Sequence, residues 1–552
     1  MWRTLGAGIL VVICVAYVAT REHAPIVHVR WRPGVEAAQR AALLRHYDLV
    51  RCSVFGERTD SCELLDTGRA NIAAIVADSR IEDTYHIDRT GRRVSPDADR
   101  ETHVTWIAHR TPLTRVRGSI EAIVIVALAL VAGGPIARRR ARGRAEGRPF
   151  FSENVSLAAL ALGLFALLYW ASSQIDVEGG LGYDGRVYAG MLERGFGEAT
   201  RFTLMRPLIV LLARIPYYFT QEVILSFNIL NFACAFAQAY LVAKIADLYG
   251  IGRTAKIYLV VSIAVCISTA RMFAYYPVLV DMGGCVLLLL AVYAALVAPR
   301  PVAAILVCAA VAAREFGIAV AFFGIHRALR RREGLGSVLA YVPAIAAFAV
   351  LRYIGATQAK VQGYGIFELL VQNLVHWHEF WYVASLVYFL LTVFGGISLI
   401  LIARPLDWLP LLLKESEWAT FGATILGITL VYGIDIWRYV AFTLPLAAVA
   451  FARASARWIT REQAWLYTMG AAATWYTQRP FEHVSLVVYF RDWFPYYVAY
   501  LGSSPFPPDI LWPVWRWRFP VTAALFALLA ASNIWRRRTV KTVPAVAPLP
   551  AI

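Results

Sequence analysis

Apolar runs of roughly 16–25 residues recur along most of this 552-residue chain, and nothing else in it constrains the fold as strongly. A water-soluble domain carries about 45–50% apolar residues, whereas this chain is 59% hydrophobic with a mean hydropathy of +0.56. The excess is gathered into the runs, which are centred near Leu10, Ala127, Leu164, Phe236, Ser262, Leu288, Val307, Val320, Ile345, Leu391, Ala423, Ala447, Met469 and Phe526. The expected fold is an all-α polytopic membrane protein of about fourteen membrane segments, joined to one small α+β domain. The runs around Val307 and Val320 are short, and the spacing predicts a helical hairpin with Arg314-Glu315 near its tip.

Charge gives the orientation. A net charge of +17 would suggest nucleic acid as the partner of a soluble protein. Here, outside the N-terminal domain, most of the basic residues occupy short loops between apolar runs, among them Arg138–Arg148, Arg253 with Lys256, Arg327–Arg332, Arg404 with Lys414, Arg453 with Arg457 and Arg461, and Arg536–Arg538. With both termini in the cytoplasm, all of these loops lie on the cytoplasmic side, as the positive-inside rule demands. Nucleic acid is therefore set aside as a partner, and the expected location is a bacterial inner membrane. The 17 Trp and 27 Tyr fit interfacial aromatic belts. This topology puts four regions outside: 21–116, 173–221, 355–381 and 478–518.

The expected organisation is an anchor (1–20), an extracytoplasmic domain (21–116), a second span with a basic loop (117–149), a polytopic module (150–540) and a cytoplasmic tail (541–552). Residues 5–19 read as an uncleaved signal anchor because no small-residue cleavage site follows. Within 21–116, alternating and periodic stretches predict strands near 26–31, 49–55, 62–66 and 81–88, with helices at 33–47 and 70–77. That β-α-β-β-α-β order is ferredoxin-like. Cys52 and Cys62 fall on the two strands flanking the turn at 56–60, so a disulfide and two free thiols are equally open.

Chemistry-bearing residues concentrate in the outer regions. The loop Asp176-Val-Glu-Gly-Gly-Leu-Gly-Tyr-Asp184-Gly-Arg-Val-Tyr188 is acidic and Gly-rich, and it precedes an amphipathic helix at 187–194. A carboxylate there, Asp184 first and Asp176 or Glu178 as alternatives, suits a general base acting on a hydroxyl; the plainer reading is a solvated acidic loop. Asp281 follows Tyr275-Tyr-Pro277, Arg314-Glu315 interrupts an apolar stretch, and Asp435 and Arg438 stand between two spans. Charges within or beside spans cost about 2.5–3.5 kcal/mol at the membrane centre and mark function by default. Mutual neutralisation, with Asp281 or Glu315 balancing Arg314 or Arg438, explains them equally well. Arg206 before Pro207 is a phosphate holder or an interfacial anchor. His376-Trp-His378-Glu379 has weak metal spacing.

In sequence order, Tyr183-Asp-Gly-x-x-x-Tyr188, Arg206-Pro-Leu, Asp281, Arg314-Glu315 and Asp435-x-x-Arg438-Tyr resemble the polytopic GT-C class of glycosyltransferases over residues 150–500. The resemblance implies transfer of a sugar from a polyprenyl-phosphate donor to an acceptor hydroxyl on a glycan, lipid or protein, at the outer membrane face and with inversion. It assigns the base to Asp184 and substrate contacts to Arg206, Asp281, Arg314, Glu315, Asp435 and Arg438. A divalent cation is left open, because the paired acidic residues of some members are missing here. The two spans and the 21–116 domain ahead of the module also depart from the class pattern. A transporter or lipid-sugar flippase, or a non-catalytic scaffold, is the competing expectation.

Overall fold

The computed structural model describes residues 26–56, 59–64, 74–87 apart from 76, 93–94, 153–171, 183–358, 390–432, 436–478 and 519–533, with a few single positions between them. Asp176, Glu178, His376, His378, Glu379, Asp435 and the spans expected near Leu10 and Ala127 lie outside the described residues.

The N-terminal sheet consists of β1 (Ile26–Trp31), β2 (Leu49–Gly56), β3 (Thr59–Leu64), β4 (Ile81–Ile87) and β5 (Arg93–Val94), with helix α1 (Ala37–His46) between β1 and β2. The strand order is β2-β3-β1-β4-β5, with every neighbouring pair antiparallel. Alternate residues of β1, Val29 and Trp31, point into a core closed by Leu43, Tyr47, Leu49, Cys62, Ile75 and Ile81. Cys62 is disulfide-bonded. The β2–β3 register shifts between Val50 and Ser53, which places Cys52 across from Cys62 on the neighbouring strand.

One ion pair ties the turn before β4 to this core. Asp78 accepts from Arg80 Nε at 2.9 Å and Nη2 at 2.8 Å, and from the Tyr47 hydroxyl at 2.8 Å. The Arg80 hydrogen bonds hold the Asp78 carboxyl down at about 2, below its usual 3.8. A depressed carboxyl stabilises the fold above its unfolded value, and that contribution is lost as pH falls from about 3.8 through about 2. Asp78→Asn is therefore expected to speed pepsin cleavage within 26–87 near pH 4.5 relative to the unmodified chain, and the difference should vanish near pH 2. Equal cleavage rates at both pH values would show that the pair contributes nothing.

The rest of the described chain is helical: α2 (Glu153–Ala171), α3 (Tyr183–Arg194), α4 (Pro207–Thr220), α5 (Val223–Leu248), α6 (Arg253–Val265), α7 (Asp281–Val297), α8 (Arg300–Ala313), α9 (Ile318–Arg330), α10 (Val342–Gln358), α11 (Gly396–Ala403), α12 (Pro405–Lys414), α13 (Glu417–Tyr432), α14 (Leu444–Ser455), α15 (Thr460–Thr477) and α16 (Phe519–Asn533). The expected span centres from Leu164 to Phe526 all fall in helical residues. Among the described residues, however, only Val223–Leu248 and Leu335–Thr357 are long and apolar enough to cross a membrane, or three if the bent pair α11–α12 counts as one span. Five further apolar helices are shorter.

Local chemistry explains the shortening. Arg314 is extended between α8 and a 3-10 turn at Glu315–Gly317, so the predicted hairpin breaks at its charged pair. Cys266 ends α6 in an extended conformation and a π-helical turn follows at Ile267–Arg271. Arg404 precedes Pro405, a position where the α conformation is disfavoured, and the chain bends by 81° between α11 and α12.

α5 is central, with 56% of its apolar window buried, whereas Leu335–Thr357 has only 17% of its window buried and shows apolar side chains to its surroundings. Ile305, Leu406, Leu413 and Phe219 are each more than 60% exposed. So much exposed apolar surface fits a lipid environment better than water.

Helices approach closely where small residues allow it. Gly396 on α11 lies against Gly470 on α15, and a Cβ at Gly396 would stand 1.9 Å from the Gly470 carbonyl oxygen. Gly396→Ala must push the two backbones apart, an overpacking cost of about 1–3 kcal/mol. A lower melting temperature of the detergent-solubilised chain is the expected result, and an unchanged one would mean that α11 and α15 do not meet here.

Candidate functional site

Five helix ends converge on one buried ionic cluster. α3 carries Asp184 in its first turn, Arg206 caps α4, Asp281 opens α7, Arg314 and Glu315 form the break between α8 and α9, and Arg438 lies on the short helical turn Ile436–Val440 ahead of α14. Asp184 therefore sits inside a helix that starts at Tyr183, not in a loop before residue 187. A carboxylate in a first turn is favoured by the positive end of the helix dipole, which offsets the poor helix propensity of Asp-Gly.

The connections run in a chain. Arg206 grips Glu315 with two parallel bonds, Nε to Oε2 at 2.9 Å and Nη2 to Oε1 at 2.7 Å, while its Nη1 donates to the Tyr188 hydroxyl at 3.3 Å. Arg314 Nη1 lies 3.6 Å from Glu315, and Arg314 Nη2 pairs closely with Asp281 Oδ1. The other Asp281 oxygen accepts from Arg438 Nη2 at 2.7 Å. Arg438 Nη1 then stands 3.5 Å from Asp184 Oδ2. The Arg314 guanidinium also lies 5.5–6.0 Å from the ring centres of Phe316, Tyr439 and Phe442, where aromatic faces attract a cation.

Exposure separates the members. Arg206, Asp281, Arg314, Glu315 and Arg438 are all buried, whereas the Asp184 side chain is 47% exposed. Buried charges are costly unless paired, and among the described residues three buried guanidinium groups face two buried carboxylates here. Asp184 supplies the third negative charge from the rim. Neutralising Asp184 by a proton leaves the cluster with one net positive charge beside its opening. The arrangement can thus take a proton at an exposed carboxylate and, in doing so, favour an anion next to it.

The residues fit a divalent cation poorly. Asp281 and Glu315 are engaged by arginines on both of their oxygens, so among the described residues of this cluster Asp184 is the carboxylate open to a ligand. Among the described residues no group of three or more His, Cys, Asp or Glu has metal-holding geometry. A single open carboxylate beside three guanidinium groups favours an anion over a cation at this opening.

All six described members of this cluster stand out in the sequence as charges beside apolar runs. Their pairing is visible only in the structure: Asp281 neutralises both Arg314 and Arg438, and Glu315 is gripped most closely by Arg206 rather than by its neighbour Arg314. Tyr188 is legible in the sequence as the last residue of the Tyr183-Asp-Gly-x-x-x-Tyr188 motif, but its hydrogen bond with Arg206 is visible only in the structure. Asn231 was not anticipated. Other ion pairs, such as Arg330 with Glu417 at 2.8 Å and Arg404 with Glu462 at 2.5 Å, involve different helix ends. Arg330 closes α9, the helix that begins beside Glu315, so its pair with Glu417 lies at the end of α9 away from the cluster.

No family model, curated protein or solved structure matches this chain.

Proposed function

We propose that the chain is an inverting membrane glycosyltransferase that moves a sugar from a polyprenyl-phosphate donor to an acceptor hydroxyl at the outer face of a bacterial inner membrane. The observation that supports it most is the half-exposed Asp184 carboxylate, 3.5 Å from Arg438 at the rim of a buried, arginine-rich cluster. In this reading Asp184 accepts the proton of the acceptor hydroxyl. The hydroxyl oxygen bonds to the anomeric carbon as the bond from that carbon to the phosphate oxygen breaks, and the electron pair leaves with the phosphate. One such displacement inverts the anomeric carbon. Arg438, 3.5 Å from Asp184, meets the charge that grows on the phosphate. Arg206, held on Glu315, and Arg314, held on Asp281, fix the cluster behind it.

The multi-pass topology belongs to the same proposal. The basic loops support cytoplasmic termini, and the cluster's position at helix ends, not at mid-length, favours surface chemistry over a transport path. The strand order β2-β3-β1-β4 supports a ferredoxin-like reading of 21–116, extended by β5. The direct test is the profile of lipid-linked sugars and surface glycans in a deletion strain. A missing glycan and a raised lipid-linked sugar, both restored by the intact gene, are expected. Unchanged profiles would favour a transporter or a scaffold.

A further inference from the structure

The first four N–H groups of any helix have no acceptor within the helix. In α3 one of them, the Gly185 N–H, donates to the Tyr276 hydroxyl at 2.9 Å, in a buried contact between residues 91 positions apart. Tyr276 is 1% exposed and belongs to the irregular segment that leads into Asp281. The same segment is pinned from α5, where buried Asn231 Nδ2 donates to the Pro277 carbonyl at 2.8 Å. Gly185 lies flat against it, since a Cβ there would stand 2.9 Å from the Val278 carbonyl oxygen and 3.2 Å from Tyr276 Cε2. One short stretch of chain thus holds the peptide that follows Asp184 and ends in the carboxylate that orients Arg438.

From this geometry we infer that Tyr276 is a positioning residue for Asp184, its hydroxyl capping the first turn of α3 and so aiming the Asp184 carboxylate at Arg438 and at the acceptor. The inference rests on the transferase reading of Asp184. Without the phenol oxygen the Gly185 N–H is buried and unsatisfied, and the turn must shift to find water. A displacement of about 1 Å at a reacting group costs on the order of 100-fold in rate. The phenyl ring of Tyr276→Phe keeps the packing against Gly185, so the substitution isolates the hydrogen bond.

The test uses membranes of the deletion strain carrying full-length intact chain, Asp184→Asn, Tyr276→Phe or Tyr276→Leu at equal membrane levels, with their own lipid-linked sugar as donor. Its consumption rate is followed against pH, and amide hydrogen exchange of residues 183–194 is followed in the purified chains. With Tyr276→Phe, a fall of about 10- to 100-fold in rate is expected, with the acid limb of the pH profile displaced, faster exchange confined to the start of α3, and a larger loss in Tyr276→Leu. A Tyr276→Phe rate within about 2-fold of the intact chain, alongside an inactive Asp184→Asn, would overturn the positioning role and leave the transferase reading standing. An active Asp184→Asn would remove the transferase reading, and the inference with it.

Discussion

Asp184→Asn is expected to reach the membrane at the unmodified level and to restore no glycan in the deletion strain, with the rate of lipid-linked sugar consumption down by about 100- to 10,000-fold. The substitution keeps the shape of the side chain and its place in the first turn of α3. It removes the exposed carboxylate among the described members of the cluster and with it the site that accepts a proton in this reading. The fold should tolerate it, because the Asp184 side chain is 47% exposed and its Arg438 partner keeps the shorter bond to Asp281, at 2.7 Å. With Asp184 half-exposed, solvent screens this 3.5 Å pair, and its contribution is about 1 kcal/mol. Asp184→Glu makes a sharper comparison: the charge returns but the carboxylate moves by a methylene, so partial activity is expected. Full complementation by Asp184→Asn would end the assignment of the base.

Asp281→Asn should act in the opposite way, on the fold first. Asp281 bridges Arg314 and Arg438, one oxygen to each, and all three side chains are at most 3% exposed. An amide in its place leaves two buried guanidinium groups facing a partial charge, and removing one partner of a buried ion pair costs about 3–5 kcal/mol. Reduced membrane levels and a melting temperature several degrees lower in detergent are the expected readouts. A second change at Arg314, such as Arg314→Met, should recover much of the loss, because the excess charge leaves with it and Phe316, Tyr439 and Phe442 already line that space. If the double variant were as unstable as the sum of the two single ones, Asp281 and Arg314 would not be acting as a pair.

The two variants together separate the layers of the site. One residue sits at the rim, exposed and replaceable at little cost to the fold. The others are buried, mutually dependent and structural as well as electrostatic. From residue order, neutralisation and function are rival explanations of Asp281, Glu315, Arg314 and Arg438. The structure shows the neutralising pairs, and beside them a partly exposed carboxylate that completes the set.

Several features were legible from residue order alone. Apolar runs marked the helices from Leu164 to Phe526, because helix formation by a long apolar segment depends on its own backbone hydrogen bonds and on little else. Strand alternation located β1 to β4 to within a few residues, although β5 was not anticipated. The charged pair Arg314-Glu315 located a break in the hairpin, since an Arg and a Glu side by side interrupt an apolar pattern wherever they fall. By contrast, the start of α3 at Tyr183 was missed. Its first turn depends on an acceptor from a residue 91 positions away, and no local window contains that information.

Local composition and periodicity are enough to mark the apolar helices, the N-terminal strands and the short roster of ionisable groups that interrupt them. Long-range packing sets which helix ends meet, and so that Arg206 grips Glu315, that Asp281 is shared by Arg314 and Arg438, and that Asp184, among the described members, keeps an open face. A charge carries no label for its partner. Its energy depends on distance and on the surrounding dielectric, and both are fixed only when segments far apart in the chain have packed together.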